Sequence, residues 1–294
     1  MFTHFIFWPW FTGLIFLAAG VFAVRKELAT VRGLDKLIAL GRVFFAAPLA
    51  VFGAEHIVGA QFVKNMIPQW MPTHLFWAYF VGFALIAAAI SLITMKFVRL
   101  SATLLAVMFF LFVLMLHVPN SIAHPHDRFA WIVAVRDLAF AAGAFAFAGS
   151  RWKGLRAVQS NWMILTGRLL IALIVIFFSV EQFLHPEFAP GVPLPKLTPL
   201  WVPLHAWWGY LMGAVLLVAG VCLLINKKPR TAAAWIGLVM MLLTVVLYSP
   251  LLALAQQPSQ MNEGINYIFD TLLFAGTALV LAAALPPEER GQYA

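Results

Sequence analysis

Residues 68–82 read PQWMPTHLFWAYFVG, and residues 199–213 read PLWVPLHAWWGYLMG. Both fit the pattern P-x-W-x-P-x-H-x-x-W-x-Y-x-x-G without a change of spacing, and an echo of this kind marks an internal duplication. The match extends upstream, where GRVFFAAPLAVFGAEH (41–56) aligns with GRLLIALIVIFFSVEQ (167–182) and pairs Gly41, Arg42 and Glu55 with Gly167, Arg168 and Glu181. Downstream, His117-x-Pro119 aligns with Tyr248-x-Pro250, and RDLAFAAG (136–143) with FDTLLFAG (269–276). Arg136 is therefore matched by Phe269, and Asp137 by Asp270.

The chain is 63% apolar, 15% aromatic and 10% charged, with a mean hydropathy of +0.93. That composition excludes a water-soluble globular domain. Apolar runs long enough to cross about 30 Å of hydrocarbon stand at Phe5–Val24, Leu37–Gly59, His74–Thr94, Leu100–Val118, Phe129–Gly149, Trp162–Leu184, His205–Ile225, Thr231–Ala255 and Gly264–Leu285. The expected fold is an all-α polytopic membrane protein of nine transmembrane helices. The basic residues Arg25 and Lys26 follow the first run rather than precede it, so that run reads as a span and not as a signal peptide.

Each copy of the duplication holds four runs, an even number, so both copies cross the bilayer in the same direction. The expected organisation is an N-terminal helix with a basic loop (1–36), a first four-helix repeat (37–149), a basic linker (150–161), a second repeat (162–285) and a tail (286–294). Arg25, Lys26, Arg32, Lys36, Lys96, Arg99, Arg151, Lys153, Arg156, Lys227, Lys228, Arg230 and Arg290 fall on one side, against Lys64, Arg128 and Lys196 on the other. By the positive-inside rule the N-terminus is outside and the C-terminus cytoplasmic, in a plasma (inner) membrane. The net charge of +8 is then a product of topology, and no nucleic-acid partner is implied. Cys222 is the single cysteine, which rules out an internal disulfide or a C-x-x-C relay.

The Gly-Arg opening of the first repeat helix, the acid near its far end, the Pro-rich approach to the second helix and the Arg-Asp-Leu followed by Gly in the fourth resemble the DoxX-like family. The segment AVRDLAFAAGA (134–144) is the nearest local match, and the resemblance covers about residues 37–285. It implies a four-helix membrane module and quinone-linked redox chemistry, as in membrane subunits of thiosulfate:quinone oxidoreductases. Phe269, in place of the basic residue, departs from the pattern in the second copy.

Ionisable groups inside spans mark sites of chemistry, because each costs roughly 2.5–3.5 kcal/mol at a helix centre unless paired or hydrated. Glu55, Arg136, Asp137, Glu181 and Asp270 are of this kind. The histidines, His4, His56, His74, His117, His124, His126, His185 and His205, all fall at or beyond outer helix ends. The expectation is an outer-facing polar vestibule in each copy. The first is lined by Glu55, His74, Tyr79, His117, Arg136 and Asp137, the second by Glu181, His185, His205, Tyr210, Tyr248 and Asp270. Two pairs are expected: Glu55 with Arg136 inside the first copy, and Glu181 with His185 one helical turn apart. Competing with these roles, Tyr79, Tyr210 and the nearby tryptophans suit interfacial belts, and Arg136 suits a structural lock.

His117, His124 and His126 have ligand types that suit zinc or copper, but their spacing around Pro125 matches no metal motif. No pair of mid-membrane histidines marks a haem. Three functions fit these residues. One is a module binding a quinone or similar amphipathic molecule, with electrons supplied by a redox partner subunit. The second is a carrier in which the buried acids handle protons or a solute. The third is an assembly subunit without chemistry.

Overall fold

The computed structural model describes residues 4–151, 157–191 and 196–288. Among them are nine helices long and apolar enough to cross a membrane: α1 His4–Thr30, α2 Leu34–Val58, α3 His74–Thr94, α4 Val98–Ala123, α5 Arg128–Gly149, α6 Ala157–Leu184, α7 His205–Leu224, α8 Pro229–Ala253 and α9 Pro258–Ala284. Every regular element among these residues is a helix, the form that lets a lipid-embedded backbone satisfy its own hydrogen bonds. The chain is an all-α polytopic membrane protein. Helix α6 begins at Ala157, so the basic linker ends earlier than the hydropathy of Trp162–Leu184 implies. Lys153, Arg156 and Arg290, used in the charge count, lie outside the described residues.

The duplication extends to the backbone. Among the described residues, every non-glycine position with positive φ belongs to a repeat-related pair: Thr73 (53°) with Leu204 (56°), Met95 (59°) with Asn226 (59°), and Phe97 (54°) with Lys228 (46°). A left-handed residue of this kind costs roughly 1–2 kcal/mol, and the side chains differ in each pair, so the shared element is the loop path itself. Helices α4 and α8 each widen into a π turn, at Val113–His117 and Thr244–Tyr248. Each π turn ends two residues before Pro119 or Pro250, whose ring and missing N–H would otherwise break the helical ladder.

Two close crossings recur as well. Gly53 of α2 lies against the Gly82 carbonyl of α3, and at the equivalent place Ser179 of α6 donates its hydroxyl to the Gly213 carbonyl of α7 at 2.7 Å.

The copies interlock. Besides their neighbours within each copy, α2 packs extensively on α9 and α6 on α5, so the first helix of each copy lies against the fourth helix of the other. Gly41 meets Leu279 and Gly167 meets Ala146, contacts related by the repeat; both run antiparallel, as the pairing of Gly276 with Phe44 and Phe45 and of Arg128 with Glu181 requires. Between them α5 and α9 lie parallel and in register, with Arg136 beside Asp270, Phe140 beside Phe274 and Gly143 beside Thr277. Helices α2 to α9 thus close a ring, and α5 and α9 also meet within it. Helix α1 stands outside, with Gly20 on Val43 and Gly13 against Val51 and Phe269.

One end of the ring carries the long connections 59–73 and 185–204. The other carries Arg25, Arg32, Arg42, Arg151, Lys227 and Arg230 and is called here the basic end.

Candidate functional site

Where α5 and α9 run side by side, four polar side chains form one chain of contacts. Arg136 Nη1 donates to Asp270 Oδ2 at 2.7 Å, Arg136 Nε reaches Asp137 Oδ1 at 3.5 Å, and His117 Nε2 meets Asp137 Oδ2 at 2.9 Å. The side chains of Arg136, Asp137 and Asp270 are 14, 12 and 12% exposed, which places the ion pairs inside the bundle. A carboxylate only accepts, so the ring nitrogen facing Asp137 is the donor. The π turn of α4 ends on His117 and presents it to α5.

The cluster draws its members from both copies, and so the expected pair of separate vestibules is replaced by one site on the interface between repeats. Its charge balance is simple. Two carboxyl groups, Asp137 and Asp270, share one guanidinium, Arg136, and one imidazole, His117, so the group has room for one more proton than its permanent cation supplies.

The expected Glu55–Arg136 pair does not form, because α2 packs on α9 and the guanidinium of α5 is held by Asp270. Glu55 Oε1 is buried with no hydrogen-bond partner, although Glu55 lies within the electrostatic reach of Asp270. The repeat explains this isolation. Glu181, its equivalent, pairs with Arg128 at 2.6 Å across the α5–α6 contact. Continuing the same register, Met261 of α9 occupies the place of Arg128.

The expected Glu181–His185 pair is likewise absent. Arg128, itself stacked over Phe188 at 4.3 Å, takes Glu181, and His185 instead faces Glu187 at 3.7 Å. His74 is hydrogen-bonded to the Pro68 carbonyl at 3.1 Å, and Tyr79 and Tyr210 are exposed on the outer surface, as interfacial residues are. His205 Nε2 is buried without a partner. Tyr248, which occupies the repeat position of His117, is fully buried and donates to the Pro190 carbonyl at 3.2 Å.

The metal reading of His117, His124 and His126 is not supported by their placement: His117 is committed to Asp137 and His124 to the Asn120 carbonyl. Among the described residues no three His, Cys, Asp or Glu side chains gather as a metal-ligand group.

Three features of the site escape sequence reading. Gln182 is 0% exposed, and neither amide atom has a partner. It lies one turn beyond Phe178, which packs on Phe274 at 5.7 Å, while Asp270 lies one turn from Phe274 in the same direction; the antiparallel register puts Gln182 level with Asp270. Below the charged cluster, toward the basic end, the buried rings of Phe109, Phe140, Phe274 and Phe178 form a continuous layer with centroid separations of 5.6, 6.4 and 5.7 Å. On the opposite side a cavity of about 250 Å³ opens among Lys196, Trp201, Leu251, Gln260, Glu263 and Tyr267. Its wall residue Tyr267 lies 6.0 Å, ring to ring, from Tyr248. Periodicity marks all of these residues as core or interface and gives no sign of which helices meet.

In comparison with known proteins, a family model described as a domain of unknown function, DUF8561, matches residues 45–141. That segment runs from the middle of α2 to the middle of α5 and includes Glu55, His117, Arg136 and Asp137. No curated protein and no solved structure matches the chain.

Proposed function

We propose that the protein is a proton-coupled carrier of a small solute, working at the contact between its two repeats. The observation that carries this reading is the His117–Asp137–Arg136–Asp270 chain, which joins both copies and sets two carboxyl groups and an imidazole around a single guanidinium, so that one proton on the group completes its charge balance. Transporters built from parallel repeats place substrate and coupling-ion sites at the repeat interface near the middle of the bilayer. Buried ionisable groups in spans are otherwise hard to account for. Glu55, a carboxyl without a cation beside it, is the member whose proton exchanges with least rearrangement.

The phenylalanine layer closes the route to the basic end, and the Tyr267 cavity approaches the cluster from the loop-rich end. These features support an occluded state entered from the loop-rich side. With the basic end cytoplasmic by the charge asymmetry, that side is the exterior of a plasma membrane.

The cavity favours a second reading, in which its aromatic wall docks the head of a quinone-type molecule and a partner subunit supplies electrons. The resemblance to DoxX-like proteins points the same way.

The two are separated by reconstitution. On a solid-supported membrane, pulses of small solutes across a pH step should give charge movement that Glu55→Gln abolishes. No current with any solute, together with quinone retained on the purified protein, would replace the carrier reading by the second.

A further inference from the structure

At the basic end, three helices bring two guanidinium groups together without enough negative charge to balance them. Arg42, near the start of α2, reaches Glu27 at the end of α1 at 3.5 Å, and half of the Glu27 side chain faces solvent. Arg151 follows the last turn of α5, with its guanidinium over the Phe147 ring at 4.7 Å. The Arg151 guanidinium, folded back over Phe147, comes within about one helical turn of the level of Arg42. Gly41 lies against Leu279 and Val280 on one side of α9, while α5 runs parallel to α9 on another, with Gly143 at Thr277 and hence Phe147 near Leu281.

Arg151 accordingly lies in the fields of both Arg42 and Glu27, and burial together with the Arg42 charge pushes its guanidinium below the ordinary arginine value. The Nε atoms of Arg42 and Arg151 are both buried and have no hydrogen-bond partner. Two cations against one exposed carboxylate leave one net positive charge and two unused, water-shielded donors. The repeat-related Arg168 has no such arrangement, since its Nη1 donates to the Asn226 side-chain oxygen.

We propose that Arg42 and Arg151 form a site for a phosphate-bearing anion, the headgroup phosphodiester of an anionic lipid. A phosphodiester carries the single negative charge that the site lacks, and its unesterified oxygens accept from guanidinium N–H groups in the planar geometry arginine favours. Basic pockets between spans on the cytoplasmic side bind such headgroups. The position at the membrane boundary, between the end of α1, the start of α2 and the end of α5, lets acyl chains lie along the exposed apolar surface of α1.

The test is native mass spectrometry of the full chain released from nanodiscs of phosphatidylglycerol diluted in phosphatidylcholine. Wild type should retain phosphatidylglycerol preferentially, and each arginine replaced by glutamine should lower that retention about fivefold. Arg151→Gln lies beyond the helix and spares its packing; Arg151→Lys, which keeps the charge but not the Nε donor, should fall between it and wild type. Equal phosphatidylglycerol retention in Arg151→Gln and wild type overturns the site. Displacement of the lipid by millimolar inorganic phosphate, with the same arginine dependence, overturns the lipid assignment in favour of a free-phosphate site.

Discussion

Arg136 and Asp270 are 134 residues apart in sequence and 2.7 Å apart in space, and they belong to different copies of the duplication. The pair ties the fourth helices of the two repeats inside the bundle, where both side chains are nearly enclosed and an unpaired charge is costly. Removing one partner of such a pair typically costs 3–5 kcal/mol, because the other is left buried and alone. Arg136→Leu is therefore expected to lower the melting temperature in detergent more than Arg136→Leu combined with Asp270→Leu. A double variant no more stable than the single one would show that the pair is not coupled.

Glu55 and Glu181 occupy equivalent positions but have different partners. Glu181→Gln strips Arg128 of its carboxylate and should destabilise the protein by about 1.5–3 kcal/mol. Glu55→Gln removes no ion pair and should change stability by less than about 1 kcal/mol while abolishing proton-linked flux. Matched thermal melts of the two variants check this; equal losses would contradict the isolation of Glu55.

Another repeat-related pair, Gly143 and Gly276, predicts an asymmetry in packing. A Cβ at Gly276 would sit 2.3 Å from the Phe45 backbone nitrogen and 2.5 Å from the Phe44 carbonyl carbon, whereas one at Gly143 would meet the Thr277 methyl at 2.6 Å. Backbone cannot yield as a side chain can, so Gly276→Ala should cost more than the roughly 1–3 kcal/mol usual for overpacking, and Gly143→Ala should stay within that range. Expression level and detergent melting curves of the two variants give the comparison.

Gln182 is enclosed with both amide atoms unsatisfied, a state that costs about 1–3 kcal/mol. Gln182→Met should raise the melting temperature and reduce solute-driven current. A lower melting temperature would mean that the amide is held by a bound water or solute in the wild-type protein.

The nine spans and the repeat are legible because hydrocarbon thickness and helical rise set the length of each apolar run. The echo at Trp70 and Trp201 even extends to matched left-handed residues at Thr73 and Leu204. Partner choice is another matter. Every helix here is apolar, so lipid and neighbour offer similar surroundings, and association is decided by a few close approaches such as Gly41 on Leu279 and Gly167 on Ala146. Arg136 looks like a partner for Glu55 as long as contacts are assumed to stay inside one copy. Carrying the repeat register from Arg128 to Met261 would have shown that Glu55 is short of a cation, but not that Asp270 takes Arg136.

The exchange of first and fourth helices has a consequence for biosynthesis. Helix α5 emerges from the ribosome with Arg136 in place, but Asp270 follows only after 134 further residues. At about 5–20 residues per second, this is a delay of roughly seven to twenty-seven seconds. During that interval the guanidinium has Asp137 alone, and α2 has an uncovered face where α9 will later seat. The ring of α2 to α9 therefore closes only when the last helix is in place, and a chain ending before Pro258 would keep the α2 face open and Arg136 without Asp270.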